Sequence, residues 1–97
     1  MRIISRKAIK AHWEKRPDSE EPLKAWFKEA EDADWATPAQ VKAKYGNASI
    51  LKNQRVVFNI AGNKYRLVVK INYDYRVVYI RFVGTHKEYD AIDAETI

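Results

Sequence analysis

The chain has no cysteine, only two histidines, and three glycines and three prolines in 97 residues. Without cysteine there is no disulfide framework, no zinc finger and no thiol nucleophile. His12 and His86 stand 74 positions apart, too far for a dedicated metal motif, so no metal is expected. No apolar run approaches the roughly 20 residues that span a bilayer. Residues 1–7 lack the apolar core of a signal peptide, and a reducing cytoplasm is the expected location. There is no phosphate-binding glycine loop, no Gly-x-Ser-x-Gly and no His-Glu-x-x-His, and no cofactor is expected. Basic heptads and zinc modules are missing too, so no standard DNA-reading motif is visible.

What is present is 46% hydrophobic and 12% aromatic, too apolar for a disordered chain and sufficient for one small domain over 1–97. The overall charge of +5 is unevenly divided. Residues 1–17 carry six Lys/Arg against Glu14, and residues 18–41 carry two Lys against seven acids. Residues 42–87 hold ten Lys/Arg against Asp74 alone, and residues 88–97 hold four acids and no base. The basic stretch favours a polyanion, nucleic acid above all, although a merely soluble basic surface has the same composition.

Helical signals come first. Arg2-Ile3-Ile4 reads as an edge strand, and Ser5 as the cap of a helix over about 6–15 that ends before Arg16-Pro17. Ser19 reads as the cap of a second helix, with Glu20 and Glu21 in its first turn, Pro22 at its third position, and Leu23, Trp26, Phe27, Ala30 and Ala33 on one face. Thr37-Pro38-Ala39-Gln40 combines a cap, a proline at the first helical position and a glutamine at the third, and this helix stops at Gly46. From there the period changes to two. Strands are expected at 55–60, 64–71 and 76–84, with a weaker one near 49–52. The fold class is α+β, with N-terminal helices packed on one face of an antiparallel sheet.

A two-residue turn at Gly62-Asn63 pairs Ile60 with Tyr65, Phe58 with Leu67 and Val56 with Val69, and on the other face Asn59 with Arg66, Val57 with Val68 and Arg55 with Lys70. A turn at Tyr73-Asp74 then sets Leu67 opposite Ile80, Val69 opposite Val78, Tyr65 opposite Phe82, and Arg66 opposite Arg81. Both turns give the same apolar face. The other face gathers Arg55, Asn59, Arg66, Lys70, Tyr79 and Arg81. A like-charge pair such as Arg66–Arg81 is destabilising unless an anion sits between the two, and a phosphate matches the guanidinium fork. The bland alternative leaves both arginines in water or pairs them with acids such as Asp90.

The last strand leads into Gly84-Thr85-His86-Lys87-Glu88-Tyr89-Asp90. His86 is a candidate acid or base near neutral pH, Tyr89 a candidate proton donor, and Asp90 a group that orients a histidine or an arginine. The same stretch also reads as a capping box of Thr85 and Glu88, which is compatible because a cap fixes the loop that presents His86. His12 lies in the apolar row of Ala8, Ile9 and Trp13, and reads as a packed structural histidine. Trp13, Trp26 and Trp35 read as core residues rather than platforms for bases.

From Met1 to Ile97 the chain resembles the HigB toxins, RelE-like mRNA interferases of bacterial type II toxin–antitoxin systems. The resemblance is carried by Arg2-Ile3-Ile4-Ser5, by Asp34-Trp35-Ala36-Thr37-Pro38, by the run from Arg55 through Gly62-Asn63-Lys64-Tyr65-Arg66 to Val68, and by Gly84-Thr85-His86-Lys87-Glu88-Tyr89-Asp90. It implies a RelE-like fold and metal-free cleavage of mRNA in the ribosomal A site. The implied partners are a HigA-type helix-turn-helix antitoxin and, through that complex only, operator DNA. Arg66 matches the family's basic strand residue at the phosphate. His86 stands after Val83-Gly84-Thr85, where the broader RelE group often carries arginine, and Tyr89 matches a C-terminal tyrosine. On this expectation His86, Arg66, Tyr89 and Lys64 are catalytic. Arg81, Arg55, Lys52 and Lys87 bind substrate, with Lys64 or Lys52 helping to activate the attacking hydroxyl. Two rival classes remain at this point. One is a non-catalytic basic RNA-binding module. The other is an interaction protein whose basic face is covered by an acidic partner, with the acidic tail 88–95 able to fold near the site.

Overall fold

Strand β4 (Tyr65–Asn72) is the middle of the sheet and is buried on both sides. Leu67, Val69 and Ile71 enter the main core, while Val68 belongs to a smaller cluster on the opposite face. The computed structural model describes residues 1–97. In chain order it has β1 (Arg2–Ile4), α1 (Arg6–Lys15), a 3-10 turn (Pro17–Ser19), α2 (Glu20–Asp32), α3 (Pro38–Lys44), β2 (Ser49–Ile50), β3 (Arg55–Ile60), β4, β5 (Val77–Thr85) and α4 (His86–Asp90). The sheet order is β1-β5-β4-β3-β2. The expected α+β layering is present, with one parallel pair, since β1 runs parallel to β5 and sets Arg2 beside Val77.

The helix ends follow local chemistry unevenly. Thr37 Oγ1 accepts the Gln40 N–H at 3.3 Å, and Gln40 Oε1 accepts the Ala36 N–H at 2.6 Å, so the third helix begins as its sequence dictates. Ser5 and Ser19 occupy the cap positions of α1 and α2 but make no capping bond. Ser19 is fully buried, and its hydroxyl donates to Arg16 O at 2.7 Å instead. Burial next to a carbonyl freed at the end of α1 outcompetes the cap.

The β3–β4 register is the expected one throughout, from Ile60 opposite Tyr65 to Arg55 opposite Lys70. Its turn places Ala61 and Gly62 at φ 54° and 69°, and the Lys64 N–H donates to Ala61 O at 3.3 Å. The β4–β5 register is not the expected one. The turn holds four residues, Tyr73–Arg76, with Arg76 at φ 59°, and β5 carries a bulge opposite the Val68/Val69 step. Arg66 therefore faces Gly84, Val68 faces Phe82, and Val69 faces Ile80. The pair Arg66–Arg81 does not form, because the longer turn moves the register by two residues and Arg81 is the extra residue of the bulge.

The helices cover one face of the sheet. Ile9 and Trp13 of α1, Leu23, Trp26 and Ala30 of α2, and Val41 of α3 pack on Val56, Phe58, Leu67 and Val69. The three tryptophans are core residues, as their spacing implies. Phe58 is the centre of the aromatic packing, with ring centroids 5.4 Å from Trp26, 5.0 Å from Tyr45 and 6.3 Å from Trp35. The opposite face is not the open cationic surface that alternation alone implies. Residues 91–97 fold back over it, and Val57, Val68 and Ala94 form a second cluster with Leu51, Phe82, Tyr89, Ile92 and Ile97. Replacing Phe58 with alanine removes the shared contact of three aromatic rings. Urea denaturation of this variant is expected to show a loss of about 3–5 kcal/mol. A loss under 1 kcal/mol would refute the central place given to this ring.

Candidate functional site

The outer face of the sheet carries two groups of charged side chains, one at each end of the apolar strip Val57–Val68–Phe82. Arg66 lies at one end, opposite Asn59 on β3 and Gly84 on β5. Its Nη1 donates to Asn63 O at 3.0 Å and to Tyr65 O at 3.3 Å, and no carboxylate pairs with it. Gly84 is buried, and a Cβ there would stand 2.6 Å from Cζ of the Phe82 ring. The Phe82 ring lies along the strand over Gly84, and only glycine lets β5 run beneath it.

Two residues beyond Gly84 the chain turns into α4. Thr85 Oγ1 accepts the Glu88 N–H at 3.1 Å and Glu88 Oε1 accepts the Thr85 N–H at 2.8 Å, a complete capping box. The bonds from Thr85 hold the Glu88 carboxyl below its ordinary pKa. The box presents His86 in solvent, with Nδ1 3.2 Å from Asp90 Oδ2 one turn later. A carboxylate at that nitrogen orients the ring. Tyr89 is half-buried against the outer cluster and ties α4 to the sheet, while Lys87 is exposed. Arg66, opposite Gly84, and the helix α4 that starts at His86 thus lie at the same end of the sheet, with Tyr89 on its outer face.

The other expected residues lie elsewhere. Lys64 is in the β3–β4 turn, with its amine on Asp18 Oδ2. That bond raises its pKa, so it offers positive charge rather than a free base. Asp18 also accepts the Tyr65 hydroxyl at 2.5 Å, which raises the tyrosine and holds the aspartate below the usual carboxylate range together with Lys64. Arg55, Arg81 and Lys52 belong to the far end of the sheet. Arg55 opposes Lys70, which opposes Tyr79. That row is four residues from the row of Arg66, or roughly 13 Å along the strands. Arg55 is 92% buried, and its Nε and Nη2 donate to the oxygen of Ile97 at 3.1 and 2.6 Å. Arg81 Nε reaches the same oxygen at 3.2 Å. The Lys52 N–H donates to Glu95 Oε2 at 3.3 Å. The acidic tail does fold onto the basic face, at the end remote from His86.

One feature escaped the sequence reading. β1 pairs only with Val77–Tyr79, so the edge of β5 beyond Tyr79 has no strand partner and α1 runs beside it. A cavity of about 330 Å³ lies between them, bounded by His12 and Lys15 of α1, Arg16 just after it, Val83 of β5 and Glu88 of α4. His12 Nδ1 is 3.0 Å from Ser19 Oγ, and its Nε2 is buried without a partner. The signal was a histidine in an apolar row seven residues before a serine at a helix junction. No cluster of three His, Cys, Asp or Glu side chains gathers anywhere.

A family model described as HigB_toxin, the RelE-like toxic component of a toxin–antitoxin system, matches residues 19–92. The mRNA interferase toxin HigB of Escherichia coli strain K12 is 33% identical over 96 residues, covering 97% of this chain and 92% of that protein. The mRNA interferase HigB of Shigella flexneri shows the same identity and coverage. The mRNA interferase HigB of Escherichia coli O6:H1 is 24% identical over 94 residues, covering 95% of this chain and 91% of that protein.

The capping box carries a pH dependence. Glu88 titrates lower in the folded chain than its reference value of 4.5, so its contribution to α4 is full above that pH and is lost as pH falls through the depressed folded value. Exchange protection of the Thr85 amide is expected to hold from pH 7 down to about 4.5 and to fall below it. In Glu88→Gln the protection at pH 7 should already be reduced and the acid step absent. An unchanged acid step in that variant would assign the titration to another group.

Proposed function

This chain belongs to the HigB family of RelE-like toxins, and we propose that it arrests translation by cutting mRNA in the ribosomal A site. It is an mRNA endoribonuclease, and its kind acts with an antitoxin partner. The observation that supports the site is that Arg66, free of any acid, lies opposite Gly84, two residues before the His86–Asp90 pair at the same end of the sheet. In this reading the 2′-oxygen of a ribose attacks the adjacent phosphorus, the bond to the 5′-oxygen breaks, and a 2′,3′-cyclic phosphate forms. Arg66 neutralises the charge on the non-bridging oxygens. His86, held by Asp90, gives its proton to the departing 5′-oxygen. Tyr89, on the same short helix, is its partner in proton transfer, and Lys87 adds a cation.

Lys64, two residues before Arg66, favours the attacking hydroxyl by charge, and Lys52, at the far end of the sheet, takes no part in that step. Arg81, which is exposed, takes an RNA phosphate further along the strand, whereas Arg55, expected to do the same, is buried and holds the tail through Ile97. The 2′-hydroxyl proton passes to solvent water, the 5′-oxygen takes its proton from His86, and no step is routed through a metal. A HigA-type helix-turn-helix antitoxin covers the basic face, and its complex with the toxin binds operator DNA. Work on ribosomes sets the protein in the cytoplasm, and no helix is long and apolar enough to cross a membrane.

The test is primer extension on a defined mRNA, with and without programmed ribosomes. Parent protein should cut only with ribosomes. Arg66→Ala and His86→Ala should each lower cleavage more than about tenfold with the circular dichroism spectrum unchanged. Variants that cut at the parental rate would remove those residues from the site, and cuts on free RNA would remove the ribosome requirement.

A further inference from the structure

Arg55 is a buried cation on the outer face of β3, four residues from the row that holds Arg66. Enclosing a guanidinium is costly unless its donors are bonded, and here they are. Nε and Nη2 donate to the Ile97 oxygen at 3.1 and 2.6 Å, and Nη1 donates to Asn53 O at 2.8 Å. The last bond steadies a tight bend, because Asn53 and Gln54 stand side by side in the left-handed region at φ 59° and 62°. The bent loop offers its own donors to the tail. The Asn53 side-chain amide donates to Glu95 O at 3.1 Å, and the Lys52 N–H donates to Glu95 Oε2 at 3.3 Å. Arg55 thus joins the start of β3 to the end of the tail. A guanidinium so enclosed is out of reach of a phosphate in solvent, and what it holds is the tail.

The tail is a structured strap. Asp93 closes it on itself, with Oδ1 accepting the Glu95 N–H at 3.0 Å and its carbonyl accepting the Thr96 and Ile97 N–H groups at 3.2 and 3.1 Å. Ile92, Ala94 and Ile97 join Val57 and Val68 of the sheet in the outer cluster. The other end of the strap is continuous with α4, where the Ala91 and Ile92 N–H groups donate to Glu88 O and Tyr89 O, both at 3.2 Å. α4 has only five residues, His86–Asp90. A helix so short is not stable alone in water, so its surroundings decide where it lies. The Thr85–Glu88 box fixes its first turn, and the strap fixes its end. Asp90, which meets His86 Nδ1, is the residue at that end. A line of contacts therefore runs from Arg55 through Ile97 and the strap to the imidazole.

We propose that Arg55 is a positioning residue of the nuclease, one that sets His86 from the opposite end of the sheet by fastening residues 91–97 and with them the end of α4. The inference rests on the nuclease reading, in which His86 gives its proton to the 5′-oxygen. The strap crosses the outer face as a fixed part of the site, not as a plug that RNA must displace. The chemical step depends on it, because a misplacement of about 1 Å is enough to cost much of a rate. Binding of the programmed ribosome is left to the exposed cations, Lys64 and Lys87 among them, which do not depend on the strap.

The test uses the intact chain with Arg55→Met, which keeps an apolar stem and loses every donor. Ile97→Ser is the second variant, and it loosens the strap with the sheet untouched should the first fail to fold. Backbone ¹⁵N relaxation reads the helix without RNA. Order parameters over residues 86–91 should be about 0.85 in the parent and below about 0.6 in both variants, with Val68 and Val69 unchanged. In single-turnover cleavage on programmed ribosomes the maximal rate should drop about tenfold, while the toxin concentration for half-maximal rate moves less than about twofold. In a chain that already carries His86→Ala, Arg55→Met should cost nothing further, because the acid it serves is gone. An α4 that stays rigid in both variants, a maximal rate at the parental level, or a full additional loss in the His86→Ala chain would overturn the positioning role. Faster cleavage in the variants would overturn it too, and would make the strap a plug. A parent that cuts no mRNA would overturn the nuclease reading alone, and a rigid or mobile α4 in the variants would still decide whether Arg55 fixes that helix.

Discussion

A single extra residue in β5 governs the arrangement of the candidate site. Without the bulge at Arg81, the register set by the four-residue turn would continue and place Phe82 opposite Leu67, under the helices. With it, Phe82 faces outward opposite Val68, and Val83 faces inward opposite Leu67. Gly84 then lies beside Arg66, and Thr85 comes opposite Tyr65 on the helix side of the sheet. The capping box starts from that inward threonine, so Glu88 reaches the cavity beside α1 while Tyr89 settles on the outer cluster. Bulges commonly re-aim side chains next to functional sites. Here one bulge sends consecutive residues of one short helix to two different sides of the molecule.

The chain uses its charges differently on its two sides. Around the helices, cations meet acids: Lys24 with Glu20, Lys28 with Asp32, Arg76 with Asp34 and Lys64 with Asp18. On the outer face the Arg66 guanidinium bonds only the main-chain carbonyls of Asn63 and Tyr65, while Arg55 and Arg81 meet at the Ile97 oxygen. A carbonyl satisfies the geometry of a guanidinium without cancelling its charge. Such donors remain oriented and remain attractive to a phosphate, whose oxygens make the stronger, charge-assisted bond. Like-charge neighbours Arg55 and Lys70 stand directly opposite each other, and the Ile97 oxygen sits on the Arg55 guanidinium of that pair.

Alternation in the sequence was enough to read β3 against β4, because Val56, Phe58 and Ile60 must share a face with Leu67, Val69 and Tyr65 whatever else the fold does. It was not enough for β5. A four-residue turn with Arg76 in the left-handed region leaves no period-two signature, and a bulge reverses the alternation without changing composition. The covered part of the outer face was legible in principle. Val57 opposite Val68 is an apolar pair amid cations, and Ile92, Ala94 and Ile97 are apolar residues in an otherwise acidic tail. The Thr85–Glu88 box and the His86–Asp90 spacing could be read directly, since each is local within one helical turn. The setting of His12 could not. Its tautomer depends on Ser19, and its cavity depends on how short β1 is, neither of which has a local signal.

The pairing of β1 with β5 imposes an order of events on the nascent polypeptide. Arg2 leaves the ribosome first but acquires its strand partner only when Val77 follows. A contact of such long sequence separation forms late, after the loop between its ends has been closed by other structure. The cavity beside α1 exists only where β5 outruns β1, and α4 begins where β5 ends. The His86 end of the sheet is therefore assembled after almost all of the remaining chain has been synthesised, so a ribosome making this protein has nearly finished its task before a working cleft exists beside it.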